Sequence, residues 1–127
     1  MAGIAVGSKN YWAGGYDSGP FTNQVEIRDM NSASSELTCL FQPNASYFQV
    51  DVSFSAVLKD NKIVFFTGSG SAKNKFDIYN ITTNTWSIGV LPANIGGASI
   101  ISTNNTIYVA GGSVNGVLSN QVWKLEF

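Results

Sequence analysis

The chain contains no histidine, and this absence excludes several kinds of active site. Ser-His-Asp and Cys-His catalysis need an imidazole as the base, and histidine-ligated metal sites need its ring nitrogens. The single cysteine, Cys39, excludes an internal disulfide framework. It stands in the apolar segment LTCLF, which favours a buried, inert thiol. The sequence therefore predicts no catalytic residue, no metal ligand and no cofactor, although carboxylates brought together from distant segments remain an alternative.

Charge is also scarce, because charged residues make up 12% of the 127 residues and the formal net charge is −1. The few basic residues are scattered, so no positive patch for nucleic acid is present. No apolar run approaches the roughly 18 residues that a membrane-spanning helix requires. We therefore expect neither a nucleic-acid partner nor a membrane span. The low charge and the absent histidine favour a secreted or cell-surface protein without fixing the compartment. Three sequons, at Asn44, Asn80 and Asn104, are of a kind that arises by chance in a chain rich in asparagine and threonine.

Glycine, serine, threonine and asparagine supply most of the polarity instead of charged side chains. These residues form turns readily and are poor helix formers. No segment has apolar residues at sustained helical spacing over ten residues. The sequence therefore predicts an all-β domain with helices absent or very short.

An internal repeat organises the chain. The segment AGGYDSGPFTNQV (Ala13–Val25) returns 97 residues later as AGGSVNGVLSNQV (Ala110–Val122). A weaker middle copy consists of KIVFFTGSG (Lys62–Gly70) and NKFDIYN (Asn74–Asn80). The spacing indicates a repeat unit of about 48 residues, within the range of four-stranded repeat units.

Each unit is predicted to contain strands A to D, and the third unit stops after strand C. The predicted units are residues 3–52, 53–96 and 97–127. The predicted strands are A at 3–6, 54–58 and 98–102; B at 11–13, 63–67 and 107–110; C at 24–28, 75–79 and 121–125; and D at 37–41 and 85–90. Short strands of this kind in repeated units are typical of β-propellers.

The apolar strand ending in IYVAGG, the following Asn-x-Val, and a tyrosine seven residues before a tryptophan resemble the kelch repeat. The resemblance covers nearly the whole chain and implies that the motif residues are structural: Gly14, Gly15, Gly68, Gly111, Gly112, Tyr79 and Trp86. The first unit departs from the pattern, because Arg28 and Ser35 occupy the tyrosine and tryptophan positions.

The resemblance implies kelch-like β-propeller blades, about three four-stranded antiparallel blades per chain. Propellers close with about four to eight blades, so three blades are an incomplete ring. We expect a homodimer that closes a six-bladed ring, so that the chain is half of the ring. A complementary chain and a fragment of a longer protein are the alternatives.

The expected function is a non-catalytic binding or scaffold module, with a protein or a glycan as ligand. The loops that leave strands B and D emerge on one side of the predicted blades, so this side is the candidate binding face. Its candidate residues are Tyr16, Asp17, Phe21, Tyr47, Phe48 and Asp51. The alternative is a carbohydrate-binding or enzymatic propeller whose site is completed by another subunit or by missing blades.

Overall fold

The computed structural model describes residues 1–14, 24–39, 54–67 and 74–127, and the regular structure in these ranges is all β-strand. The predicted all-β class is confirmed for this part of the chain. The strands form four antiparallel sheets.

Two four-stranded sheets have their strands in chain order, each strand pairing with the next. Sheet I contains β1 (Ala2–Val6), β2 (Lys9–Ala13), β3 (Gln24–Asp29) and β4 (Ser35–Cys39). Sheet II contains β5 (Phe54–Lys59), β6 (Lys62–Thr67), β7 (Lys75–Asn80) and β8 (Thr85–Val90). The two sheets are therefore simple meanders with the same strand order.

The last part of the chain forms a three-stranded sheet and a small additional sheet. Sheet III contains β10 (Ser99–Thr103), β11 (Thr106–Ala110) and β14 (Val122–Leu125). The small sheet contains β9 (Ile95–Gly96), β12 (Ser113–Val114) and β13 (Val117–Leu118). The loops predicted to leave strand D of the second unit and strand B of the third unit contain short paired strands. Strand D of the first unit also begins at Ser35, two residues before the predicted start.

Tight turns join the first two strands of each large sheet. Gly7, Asp60 and Asn104 have positive φ angles of 59°, 53° and 47° at these turns. Glycine has no Cβ to clash in this region, and short Asp and Asn side chains tolerate it better than other residues. The turn chemistry of the sequence therefore sets the hairpin registers in which Val6 pairs with Lys9 and Lys59 with Lys62.

Sheet II lies between sheets I and III and is buried on both faces. Along β6, Ile63 and Phe65 pack toward sheet I, whereas Val64 and Phe66 pack toward sheet III. All four side chains are buried. Burial of each contributes about 1.5–3 kcal/mol relative to exposure. The continuous apolar run in β6 is therefore explained by a neighbouring sheet on either side.

We call the face of a sheet that is turned toward the next sheet in chain order its leading face, and the opposite face its trailing face. Two packed cores join leading to trailing faces. The first joins Tyr11, Ala13, Val25 and Ile27 of sheet I to Ile63, Phe65 and Tyr79 of sheet II. The second joins Val57, Val64, Phe66, Phe76 and Ile78 of sheet II to Ile107, Val109 and Leu125 of sheet III.

The first strands of the three large sheets lie beside one another, with β5 contacting both β1 and β10. Hydrogen bonds reinforce the contact between sheets II and III. The Asp60 N–H donates to Asn105 Oδ1 at 2.6 Å, and the Asn105 side-chain amide donates back to the Asp60 carboxylate. The Ser102 hydroxyl donates to the Leu58 carbonyl oxygen. The sheets are thus stacked in chain order with their first strands on one side.

Candidate binding surfaces

The first glycine of the repeated AGG segment has the same backbone conformation in both copies. Gly14 and Gly111 have φ angles of 67° and 69°. The Gly14 N–H donates to the Gln24 carbonyl oxygen at 2.9 Å, and the Gly111 N–H donates to that of Gln121 at 3.0 Å. The repeated glycine therefore ends one strand in a conformation that closes a hydrogen bond to the strand beside it. Gly15 and Gly68 lie outside the described residues.

Gly112 allows two backbone segments to approach closely. Its φ is 76°, and a Cβ built there would lie 2.7 Å from the Ala98 amide nitrogen and would also overlap the Gly96 carbonyl oxygen. No side chain fits at this distance. Gly112 therefore fixes the position of β12 against the segment that contains β9.

Tyr79 and Trp86 contribute to the core between sheets I and II. Their ring centroids are 4.8 Å apart, and Tyr11 of sheet I lies 6.0 Å from Tyr79. The Tyr79 hydroxyl donates to Asn84 Oδ1 at 2.9 Å, which provides a partner for the polar tip of the ring. Burial and the negative charge of Glu36 raise the pKa of Tyr79. These aromatic residues pack the two sheets together, and nothing in their surroundings indicates a reactive group.

The residues predicted to form the binding face lie outside the described ranges. They are Tyr16, Asp17, Phe21, Tyr47, Phe48 and Asp51. The structure brings together two other parts of the same predicted face. The segment after β8 pairs through β9 with β12, which follows β11. The loops after strands D and B therefore meet at this point.

The β12–β13 hairpin is a surface feature that the sequence interpretation missed. Asn115 and Gly116, at its turn, have φ angles of 50° and 86°, as a two-residue type I′ turn requires. The signal was present, because Asn-Gly between apolar residues is a strong hairpin indicator. The Asn115 N–H donates to the Asn94 carbonyl oxygen at 2.8 Å and anchors the hairpin. Its outer strand presents Val117 and Leu118, which are 71% and 89% exposed.

The leading face of sheet III is a second candidate surface, because no described residues cover it. Ile101, Tyr108 and Val122 lie on this face, and Ile101 and Val122 are 52% and 64% exposed. Lys124 pairs with Tyr108 across the strands and adds a positive charge. Its ammonium lies 2.9 Å from Glu126, which raises the pKa of Lys124 and keeps the side chain cationic.

The trailing face of sheet I is the corresponding surface at the other end of the stack. It carries Asn10, Trp12, Glu26, Arg28 and Leu37. Glu26 accepts a hydrogen bond from the Ser35 hydroxyl at 3.0 Å, and Trp12 lies over Gly3. This face is far more polar than the trailing faces of sheets II and III, which are buried in the cores.

Asp77 is the buried acidic residue in the described ranges. It lies on the trailing face of sheet II, beside Phe65 on the adjacent strand. Within the same ranges, no cluster of three or more His, Cys, Asp or Glu residues is arranged to hold a metal ion. A search of these ranges likewise finds no helix with the length and apolarity needed to cross a membrane.

Comparison with known proteins gives a likeness in fold. No protein-family model matches the chain. No curated protein sequence matches it. Among solved structures, that of YjhT matches with a TM-score of 0.58 and 21% sequence identity, over 87% of this chain and 33% of that one. The chain thus spans about a third of the length of YjhT. At this level of identity the likeness shows a shared β-sheet fold.

Proposed function

We propose that the chain is a non-catalytic, kelch-type binding or scaffold module, and that two copies assemble into a closed propeller. The observation that carries this proposal is the unequal burial of the three large sheets. Among the residues that the structure describes, sheet II is buried on both faces, whereas sheets I and III are each buried on one. Repeat units are stabilised mainly by contacts with their neighbours, so each end of the stack is a site for a further unit.

The arrangement of the strands supports the propeller part of the proposal. Propeller blades are four-stranded sheets placed around a central channel. Sheets I and II have four strands in meander order, and their first strands lie beside each other and beside that of sheet III. Stacking that continued in the same sense would place every first strand along a central axis.

The number of sheets favours two copies. Known propellers contain about four to eight blades. One chain supplies three large sheets, so two chains give six blades and three chains would give nine. Two chains therefore fall within the known range, and three exceed it.

The binding part of the proposal is supported by the β12–β13 hairpin. Its exposed Val117 and Leu118 are held on a backbone fixed by β9 and by Gly112. Apolar side chains on a preorganised surface lose little conformational entropy when a partner binds. This arrangement suits a protein ligand, and the absence of histidine argues against the commonest acid–base chemistry.

The native mass tests the assembly. Size-exclusion chromatography with light scattering should give twice the chain mass of 13.6 kDa at micromolar concentration. A mass of 13.6 kDa under the same conditions would contradict the two-copy ring. Thermal melting with candidate sugars is a useful companion measurement, because a substantial stabilisation would favour a carbohydrate-binding propeller over the proposed protein scaffold.

A further inference from the structure

The strand registers identify equivalent positions in the three large sheets. Tyr11 pairs with Ile27 in sheet I, Val64 with Ile78 in sheet II, and Tyr108 with Lys124 in sheet III. These three pairs occupy the same place on the three leading faces. On the trailing faces, the same registers place Glu26, Asp77 and Trp123 at one position and Arg28, Tyr79 and Leu125 at the next.

The two junctions inside the chain show which positions meet. At the junction of sheets I and II, Tyr11 on the leading face lies 6.0 Å from Tyr79 on the trailing face. At the junction of sheets II and III, Ile78 and Trp123 pack in one core. A third junction built in the same way would bring Tyr108 to the Arg28 position and would place Lys124 and Glu26 in the same junction.

The residues at the two ends of the stack are complementary in charge and shape. The leading face of sheet III offers a tyrosine ring and a lysine. The trailing face of sheet I offers Arg28 and Glu26 at the positions that would oppose them. An arginine guanidinium stacks favourably on an aromatic ring, and a lysine pairs with a glutamate.

The polarity of these end faces fits a junction between chains. Asp77 is the one charged residue that is buried in the described part of the chain, and it lies at the junction of sheets I and II. The end faces carry three charged residues, Glu26, Arg28 and Lys124. The interfaces of non-obligate complexes are about as polar as the rest of a protein surface, and those of homodimers are somewhat more apolar but still contain charged residues at their rims. In the described ranges, the internal junctions therefore bury one charged residue, whereas the two end faces carry three.

We infer that the occupant of both end faces is a second copy of this chain, bound head to tail, with Tyr108 against Arg28 of the second copy and Lys124 against Glu26 of the second copy. This inference rests on the proposed two-copy assembly and specifies its contacts. A two-fold arrangement makes the same junction twice, so each charge pair occurs twice in the assembly.

Charge reversal in separate chains tests the Lys124–Glu26 pair. In K124E each junction would place Glu opposite Glu, and in E26K it would place Lys opposite Lys. Each variant alone should therefore dimerise at least about tenfold more weakly than the unmodified chain. In an equimolar mixture both junctions of the heterodimer again pair opposite charges, so the mixture should recover the dimer mass.

A matched control and circular dichroism make the result specific. K75E has the same change of charge as K124E, at an exposed position at the start of β7 in the central sheet, and should dimerise normally. Glu26 and Lys124 lie on the two end faces of the stack and not in a core. The circular dichroism spectra of all variants should therefore match that of the unmodified chain.

The outcomes separate the inference from the proposed function. An unmodified chain that is monomeric overturns the two-copy assembly and the inference with it. Single variants that dimerise as well as the unmodified chain overturn the inference and leave the assembly standing. Weakened variants that fail to recover in the mixture also overturn the inference, because the two positions are then not opposed.

Discussion

The ring of Tyr11 in sheet I lies 6.0 Å from the ring of Tyr79 in sheet II, with the ring planes tilted by 53°. Both rings are buried, so the two phenols share one low-polarity environment between the sheets. Burial, the neighbouring Tyr79 and the charge of Glu36 all raise the pKa of Tyr11 above its ordinary value of 10.0. Ionising either phenol therefore opposes the packing of sheet I on sheet II.

This pair makes the fold sensitive to alkali. Well below pH 10.0 both phenols are neutral in the folded and unfolded chains, and their contribution to stability is fully present. As the pH rises from 10.0 toward the raised pKa of the folded state, that contribution is lost, because the unfolded chain releases the phenol protons first. Urea unfolding between pH 8 and about 11.5 should show the free energy of unfolding falling above pH 10.

Tyr11→Phe provides the matched variant for the alkaline effect. It retains the ring and removes the ionisable hydroxyl, so the loss of stability above pH 10.0 should be smaller than in the unmodified chain. At pH 8 the two proteins should differ little. Equal alkaline losses in both would mean that Tyr11 does not contribute.

Gly112→Ala should destabilise the chain more than Gly116→Ala. Both glycines have positive φ, 76° and 86°, so alanine costs backbone strain of about 1–3 kcal/mol at either position. A Cβ at Gly116 has open space around it, whereas one at Gly112 would strike the backbone of Gly96 and Ala98. Urea titration gives the free energy of unfolding of each variant. The extra loss in Gly112→Ala measures the cost of placing a Cβ against the backbone of Gly96 and Ala98. Equal losses in the two variants would contradict this close approach.

Phe65→Ala should cost about 3–5 kcal/mol of unfolding free energy, because it opens a cavity in the core between sheets I and II. Phe65 is fully buried and lies 5.9 Å from the Trp86 ring. Val117→Ala removes an aliphatic side chain that is 71% exposed and should change stability by less than about 0.5 kcal/mol. Thermal unfolding of both variants provides the comparison. A small loss for Phe65→Ala would contradict the double-sided packing of sheet II.

Most of the fold was predictable from local sequence, because turns and alternating apolar residues set the long strands. The segment TWSIGV (Thr85–Val90) was predicted with its observed bounds. The two-residue strands β9 and β12 were not, since their pairing depends on the approach of segments about 18 residues apart in sequence. Gly112 was identified as a motif glycine, but the backbone that it allows to approach was visible only in the structure.

The residues of the two end faces could not be identified from the sequence alone. Arg28 was identified as a departure from the tyrosine position of the repeat, whereas Trp12 and Glu26 were not singled out. The face on which these residues lie depends on the strand register, because a shift of one residue moves every side chain to the opposite face of the sheet. The pairing of Trp12 with Glu26 fixes both on the face turned away from sheet II. The proposed opposition of Glu26 and Lys124 needed this information from all three sheets.

The last prediction concerns the turn contact that joins sheets II and III. The side chain of Asn105 donates to the Asp60 carboxylate, and this hydrogen bond is the largest cause of a lowered pKa of Asp60; a hydrogen bond from Lys59 adds to it. A lowered pKa means that the ionised carboxylate stabilises the folded state above the unfolded pKa of 3.8. The contribution disappears as the pH falls through the pKa of the folded state.

Asn105→Ala should therefore raise the pKa of Asp60 toward 3.8, as followed by the NMR shift of its carboxyl carbon. Lys59→Met should raise it as well, because the lysine lowers the pKa of Asp60 through both its hydrogen bond and its charge. The pKa of Glu126, which is lowered by Lys124 two residues before it, should not change in Asn105→Ala and serves as the internal control for that variant. If Asn105→Ala leaves the titration of Asp60 unchanged, the carboxylate is not held by Asn105, and the contact between the two turns does not form in solution.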